Sequence, residues 1–228
     1  MFAYGTVTAI QGYLEGLFSR LGPHPARALI DPKNRIAAGG YRFQTPGDTE
    51  ALLGGIGRLL RQHDSLESAF DAPEGTPEDR LEAFALSLRS AAGRNTRGIR
   101  HLLPLPSAGS ACKRWWMFLR WVVRPDDGVD LGLWTCLSPS QLTMPVDTHI
   151  ARIARCIGLT SRRTPDRRFA REITEALKRL CAEDPTRYDF ALSRLGILKT
   201  CKGPGHGELC EGCTLRGIGS FGAGKEYR

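Results

Sequence analysis

A lysine and an aspartate, 34 residues apart, are the residues of this chain whose types and settings could do chemistry. Lys113 heads a strongly apolar helical pattern, and Asp147 precedes a second one. Partial burial and neighbouring cations favour the free amine of a lysine, which is a nucleophile towards carbon. A carboxylate at the start of a helix keeps a fixed position and stabilises a developing cation. The pair therefore indicates covalent chemistry, with a sugar as the candidate substrate.

Each residue also has a purely structural interpretation. A lysine beside Arg114 can extend its charge into water from a helix surface. Asp147 can act as an N-cap, which is worth about 1 kcal/mol, and this role is compatible with the chemical one. His149 could be a ligand or a general base, but packing or hydrogen bonding is the commoner role of such a residue, and it is left unassigned.

The elements that must position these residues are helices. Apolar residues recur at helical spacing in seven stretches, and strand patterns are sparse, so an all-α fold is predicted. The seven stretches lie at residues 10–21, 52–60, 81–88, 115–123, 150–157, 169–180 and 188–195. Thr164 is the predicted cap of the helix that follows it, with Pro165 at the first helical position. Gly158 and Gly196 are the predicted ends of two helices.

Composition and charge limit the class of protein. The chain has 228 residues and a formal net charge of +8, and its apolar runs are too short to cross a bilayer. No leader pattern opens the sequence, and seven cysteines without a disulfide pattern favour a cytoplasmic protein. Residues 151–200 hold twelve Lys or Arg against six Asp or Glu. This excess indicates either a polyanion-binding surface or a solvated helix face.

The segment from Pro145 to Arg152 resembles the aspartate segment of the helix-hairpin-helix DNA glycosylases, the superfamily that includes endonuclease III. There an aspartate follows a Gly or Pro by two positions, and a lysine just after a hairpin forms a Schiff base with the sugar. Residues 103–113 resemble that hairpin through a Leu-Pro start and a glycine shortly before Lys113. The long interval from Lys113 to Asp147 is similar to that of the archaeal 8-oxoguanine glycosylases. Patterns across residues 41–213 resemble a little-characterised branch of the superfamily.

The resemblance implies an all-α, helix-hairpin-helix glycosylase-like domain over residues 1–228, with two helical subdomains flanking a cleft. Residues 100–150 would carry the catalytic hairpin region, and residues 199–228 a cysteine-containing loop and tail. The implied function is excision of an oxidised purine, most readily 8-oxoguanine, with abasic-site lyase activity. The implied partner is double-stranded DNA with a damaged base or abasic site, bound by a cytoplasmic, nucleoid-associated monomer. A noncatalytic DNA-binding protein and a metal-dependent hydrolase stay open as alternatives.

The resemblance also assigns site residues. Lys113 would attack the sugar and Asp147 would stabilise its positive charge. Residues expected to contact DNA are Gly109, Ser110, Arg114, Arg120, Arg124, His149 and Arg152. Residues expected to form the base pocket are Trp115, Trp116, Asp130 and Trp134, although an indole ring also packs well in a core.

The C-terminal cysteines resemble the iron–sulfur loop of endonuclease III. Cys201, Cys210 and Cys213 supply three thiolates, whereas such a cluster needs four. His206 could complete a zinc site with them. An iron–sulfur cluster, a zinc ion and a loop without metal are therefore all open, and no cofactor is expected to be required for catalysis.

Overall fold

The computed structural model describes residues 1–198, Cys201 and Leu215. Within these residues the regular secondary structure is helical, and β-pairing is limited to two isolated bridges. The α-helices of this part of the chain are α1 (Val7–Leu21), α2 (Pro25–Ile30), α3 (Pro46–Gln62), α4 (Leu66–Asp71), α5 (Pro77–Ala92), α6 (Arg97–Leu102), α7 (Lys113–Val123), α8 (Thr148–Cys156), α9 (Arg167–Lys178) and α10 (Asp189–Ile197). The all-α prediction is confirmed. The glycosylase-like arrangement and its cleft remain predictions.

The chain divides into two compact units, residues 1–108 and 109–228, which are described separately. Helix α3 is the centre of the first unit, because it packs against α2, α4 and α5. Its N-terminus carries a capping box in which Thr45 and Asp48 each satisfy the other's backbone N–H. Among the described residues, no helix is both long and apolar enough to cross a membrane.

Small residues determine how closely α3 approaches its neighbours. A Cβ atom built on Gly57 would lie 2.0 Å from the carbonyl oxygen of Leu29, in α2. A Cβ on Gly55 would lie 3.0 Å from the backbone nitrogen of Ala92, in α5. Gly54, on the same helix, meets only the side chain of Arg58, at 3.6 Å. The packing of α3 therefore requires glycine at positions 55 and 57, where a side chain would meet backbone atoms, but not at position 54.

The second unit is built around an apolar core from α8, α9 and α10. Ile150, Ile153, Phe169 and Ile173 are fully or almost fully buried there. Helix α8 packs against α10, and Gly196 makes this approach possible, because a Cβ there would lie 2.6 Å from the side chain of His149. The predicted helix end at Gly196 is wrong, since α10 continues to Ile197.

The start of α9 also differs from the prediction. The N-cap is Asp166, not Thr164, and the Asp166 side chain accepts a hydrogen bond from the backbone N–H of Phe169 at 2.8 Å. Asp166 pairs in an isolated bridge with Ser110, and its N–H donates to the carbonyl of Thr164 at 2.9 Å, so the residues before the cap form a turn and not the first turn of the helix. The predicted end at Gly158 agrees with the structure: α8 ends at Cys156, and Gly158 has the positive φ of +73° typical of such ends.

Candidate active site

Asp147 is the N-cap of α8, as the sequence predicts. Its Oδ1 atom accepts a hydrogen bond of 2.7 Å from the backbone N–H of Ile150. This bond fixes the carboxylate at the positive end of the helix dipole, with 22% of the side chain exposed. The second oxygen, Oδ2, points towards Lys113.

Lys113 is the first residue of α7. It follows Cys112, a buried residue in the left-handed conformation at φ +47°, where a side chain other than glycine is unfavourable. The backbone N–H of Cys112 donates to the hydroxyl of Ser110 at 3.2 Å, and Cys112 accepts from the N–H of Trp115 at 2.9 Å. These bonds hold the sharp turn that delivers Lys113 to the site.

The structure brings the two predicted residues together. The Nζ atom of Lys113 lies 3.9 Å from Oδ2 of Asp147. At this distance the two groups form an ion pair but are too far apart for a hydrogen bond. The lysine side chain is 35% exposed, so the pair lies partly at the protein surface. One carboxylate thus caps a helix with one oxygen and faces an amine with the other.

An ion network lies further along α7 from Lys113. Arg120 is buried, and its guanidinium group lies 3.0 Å from carboxylate oxygens of both Asp130 and Asp189. Arg124 also binds Asp130, and it lies 2.8 Å from Asp184 and 3.2 Å from Asp127. Two guanidinium groups are therefore shared by four carboxylates.

The predicted phosphate contacts of Arg120 and Arg124 would require these ion pairs to open. The predicted base-pocket residue Asp130 has no exposed surface, and its Oδ1 atom has no hydrogen-bond partner among the described residues. The sequence patterns gave no indication that these three residues bind one another, because the pairing depends on how the segment after α7 folds back along it. Leu131 and Trp134 donate backbone hydrogen bonds to carbonyl oxygens of α7 in that segment.

Asp189 is one of three acidic residues of this network, with Asp127 and Asp184, that no sequence pattern indicated. Burial raises the pKa of its carboxyl to about 6, although Arg120 counteracts the effect. The charges of Asp147 and Asp130 raise this pKa further, and that of Lys113 lowers it. The buried carboxyl is thus electrostatically coupled to both members of the Lys113–Asp147 pair.

The aromatic residues predicted for a base pocket have different environments. Trp115 and Trp116 are each 3% exposed. Both rings therefore pack in the core, which was the alternative to a role in the base pocket. Trp134 is half-buried, and its ring meets that of Phe118 edge to face with centroids 5.2 Å apart. Of the three, only Trp134 presents appreciable ring surface on which a base could stack.

The other residues predicted to contact DNA lie in two places. Gly109 and Ser110 are exposed in the turn before α7, where the carbonyl of Gly109 accepts from the N–H of Arg167 at 3.0 Å. His149 and Arg152 are half-buried where α8 meets α10, and Arg152 Nη2 lies 3.3 Å from Nδ1 of His149. Arg114, next to Lys113, is also half-buried.

The excess of positive charge in the second unit is displayed at its surface. Among the described residues of this unit, the exposed arginines are Arg163, Arg168, Arg171, Arg179, Arg187 and Arg194. Exposed Asp126, Asp127, Glu172, Glu175 and Glu183 lie on the same unit. Both interpretations of the charge pattern, a polyanion-binding surface and a solvated helix face, therefore stay open.

Of the four predicted metal ligands, only Cys201 lies within the described residues. Its Sγ atom lies 4.0 Å from that of Cys156, the last residue of α8. The other predicted ligands, His206, Cys210 and Cys213, lie outside the described residues. Within the described part of the chain, no group of three or more His, Cys, Asp or Glu residues is arranged to hold a metal ion.

Comparisons with known proteins place the chain in one family. It belongs to the family described as "Protein of unknown function (DUF2400)", which matches residues 1–198. No curated protein and no solved structure matches the chain significantly.

Proposed function

We propose that this DUF2400 protein is a DNA glycosylase with abasic-site lyase activity, acting on an oxidised purine such as 8-oxoguanine. The observation that carries the proposal is the 3.9 Å approach of the Lys113 amine to a carboxylate fixed by a helix cap. A substrate carbon placed between such groups meets a nucleophile and a stabiliser of positive charge. The resemblance of the surrounding segments to helix-hairpin-helix glycosylases supplies the substrate class.

In the proposed reaction the damaged nucleotide is flipped out of the duplex. The neutral amine of Lys113 forms a bond to C1′ of the sugar while the N-glycosidic bond breaks, and the base leaves with the electron pair and takes up a proton. The carboxylate of Asp147 stabilises the positive charge that develops on the sugar. Ring opening and loss of the amine proton then give an imine, and removal of a C2′ proton expels the 3′ phosphate by β-elimination.

Borohydride trapping tests this proposal directly. Borohydride adds hydride to the imine carbon and leaves a stable amine that joins protein to DNA. We expect an adduct with duplexes containing 8-oxoguanine or an abasic site, and we expect Lys113→Gln to abolish it. Lys178→Gln is a matched control, because Lys178 forms a surface ion pair with Glu175 at 3.0 Å in the same unit. No adduct on any lesion, or an intact adduct in Lys113→Gln, would exclude the proposal.

The exposed arginines favour a second candidate, a noncatalytic DNA-binding protein on the same scaffold. This candidate predicts duplex binding that weakens with salt, together with no adduct and no strand nicking on any lesion. The trapping panel therefore separates the two functions, provided that duplex binding is measured on the same samples.

A further inference from the structure

An exposed phenylalanine lies in a tight turn of the first unit, just before α3. The backbone N–H of Tyr41 donates to the carbonyl of Gln44 at 3.1 Å, and the N–H of Gln44 donates to the carbonyl of Tyr41 at 2.9 Å. Arg42, inside the turn, has the left-handed φ of +56°. Two hydrogen bonds thus close the turn, and they hold Phe43 at the surface with 48% of its side chain exposed.

Two other aromatic rings contact Phe43. The ring of His101 meets it edge to face with centroids 4.7 Å apart, and the ring of Tyr4 lies 5.9 Å from it. Tyr4 and His101 also meet each other edge to face at 4.9 Å. Contacts of this kind restrain the orientation of each ring. A ligand that binds the exposed part of Phe43 therefore loses little affinity to ordering of the side chain.

Three exposed arginines lie around this ring. The guanidinium carbon of Arg97 lies over the Phe43 ring, 5.8 Å from its centroid. Arg42 precedes Phe43 in the turn. A Cβ atom built on Gly47, the second residue of α3, would overlap the guanidinium group of Arg94. The turn and the start of α3 thus combine one aromatic ring with three cations.

These three cations are not neutralised by the protein. Among the described residues, none of them forms an ion pair with a carboxylate. The acid at the start of α3, Asp48, is buried, and it accepts hydrogen bonds from the hydroxyl groups of Thr45 and Thr96. In the second unit, by contrast, Arg120 is held by two carboxylates. The positive charge beside Phe43 is therefore available to an anionic partner.

We propose that Phe43, Arg42, Arg94 and Arg97, together the Phe43 surface, bind a single strand of DNA. A base stacks on the exposed ring, and the arginines bind phosphates of the same strand. The surface matches both chemical parts of a strand, the flat bases and the charged phosphates. An acidic peptide would need only the cations, and an apolar peptide only the ring. This inference concerns binding by the first unit, so it does not depend on chemistry at Lys113.

Fluorescence anisotropy with a labelled oligothymidylate tests the stacking contact. We expect Phe43→Leu, which stays apolar but loses the aromatic ring, to weaken binding about 10-fold. Phe43→Tyr keeps a ring and should bind as wild type does. Phe18→Leu is the matched control, because Phe18 is 52% exposed on α1 of the same unit. Among the described residues, no aromatic ring or guanidinium group contacts it, and we expect no loss of binding.

The salt dependence of the same binding tests the phosphate contacts. We expect joint substitution of Arg42 and Arg94 by Gln to lower the slope of log affinity against log salt by about 1.4, since each phosphate contact on a single strand contributes about 0.7. Arg61→Gln is the control. Arg61 is an exposed arginine near the opposite end of α3, where it donates to the carbonyl of Ile30 at 2.8 Å. Its substitution should leave the slope unchanged.

Photocrosslinking locates the base on the protein. An oligonucleotide with 5-iodouracil in place of thymine joins on irradiation to an aromatic side chain on which that base stacks. We expect the adduct in the tryptic peptide of residues 43–58, which begins at Phe43, and we expect Phe43→Leu to remove it. An adduct only in other peptides would place the strand elsewhere and overturn the inference.

The binding results also overturn the inference in three cases. These are no binding of oligothymidylate by wild type, wild-type affinity in Phe43→Leu, and an equal loss in Phe18→Leu. Borohydride trapping on the same proteins separates this inference from the proposed function. Trapping by wild type with wild-type strand affinity in Phe43→Leu would refute the Phe43 surface and support the glycosylase. Weaker strand binding in Phe43→Leu with no trapping by any protein would support the Phe43 surface and refute the glycosylase.

Discussion

The two oxygens of the Asp147 carboxylate have different partners. Oδ1 accepts the capping hydrogen bond from Ile150, and Oδ2 faces the amine of Lys113. An asparagine side chain has nearly the same shape, and its amide oxygen can still accept the capping bond, but it carries no charge. Substitution by asparagine can therefore separate the contribution of Asp147 to helix stability from its contribution to the proposed reaction.

We expect Asp147→Asn to slow trapping at abasic sites at least about 100-fold, because the developing positive charge loses its stabilising partner. The free energy of unfolding should change by less than about 0.5 kcal/mol, since asparagine caps helices as well as aspartate does. Asp147→Ala should lose trapping and also about 1 kcal/mol of stability. Trapping rates and urea unfolding check both statements. A wild-type trapping rate in Asp147→Asn would leave the residue with its capping role alone.

The raised pKa of Asp189 has a consequence for stability. The carboxyl has a pKa of about 6 in the folded protein and an ordinary value of 3.8. Below pH 3.8 it is protonated in both states, whereas above pH 6 the folded protein must hold the buried charge at a cost. The contribution of this group to stability therefore decreases as pH rises from about 4 to about 6.

We expect Asp189→Asn to remove this pH dependence. The difference in unfolding free energy between the variant and wild type should move in favour of the variant by up to about 3 kcal/mol from pH 4 to pH 7. Urea unfolding at four pH values in this range measures the difference. A difference that is constant with pH would show that Asp189 titrates as an ordinary aspartate.

At the scale of the helices, sequence patterns located the elements better than their ends. The periodic stretches correspond to α1, α3, α5, α7, α8, α9 and α10, because an apolar stripe at helical spacing is a local property. Thr164 and Asp166 are both residue types that cap helices, and the structure caps α9 with the second, through the N–H of Phe169. Gly196 lies inside α10 and against the side chain of His149, a contact that exists only in the folded chain. The local pattern therefore located each boundary to within a few residues and no more closely.

The glycines of α3 give a matched pair of substitutions. We expect Gly57→Ala to lower the free energy of unfolding by about 1 to 3 kcal/mol, because its methyl group would overlap the Leu29 backbone. Gly54→Ala, on the same helix, should raise stability by up to about 1 kcal/mol, since alanine favours the helix and meets only a side chain. Thermal and urea unfolding measure both. Equal effects of the two substitutions would contradict this account of the packing of α3 against α2.

The short distance between the sulfur atoms of Cys156 and Cys201 leads to a prediction about bound metal. Iron or zinc that binds Cys201 in protein purified without oxygen should also bind Cys156, whose sulfur is 4.0 Å away. We therefore expect Cys156→Ser to lower the bound metal by at least about half, since loss of one thiolate weakens a four-ligand site. Cys181→Ser, in the same unit, is the control. Metal bound equally by Cys156→Ser and wild type would exclude Cys156 as a ligand.

For the molecule as a whole, the sequence was sufficient for the fold class and for selecting two residues that the structure brings together. Lys113 and Asp147 could be selected because each stands at a helix start, which is visible locally. Asp189 could not, because its burial and its bond to Arg120 join residues 69 positions apart. Residue types indicate which groups are reactive, whereas the electrostatic environment of those groups depends on tertiary packing.

The charge of the second unit leads to a prediction about duplex binding. We expect the joint substitution of Arg163 and Arg168 by Gln to weaken binding and to lower the slope of log affinity against log salt by about 1 to 2. Arg35→Gln, an exposed arginine of the first unit, should change the slope less. Fluorescence anisotropy with an undamaged duplex at four salt concentrations measures the slopes. Equal slopes in all three proteins would show that Arg163 and Arg168 belong to a solvated helix face that does not bind DNA.

The bond between Arg120 and Asp189 also constrains how this protein can change over evolutionary time. A lineage that loses Asp189 first keeps Arg120 bound to Asp130. A lineage that loses Arg120 first leaves Asp189 buried without the guanidinium group that holds it, at a cost of several kcal/mol. The two single substitutions therefore have unequal costs, since loss of the carboxylate leaves Arg120 paired and loss of the arginine leaves a buried carboxylate without that cation.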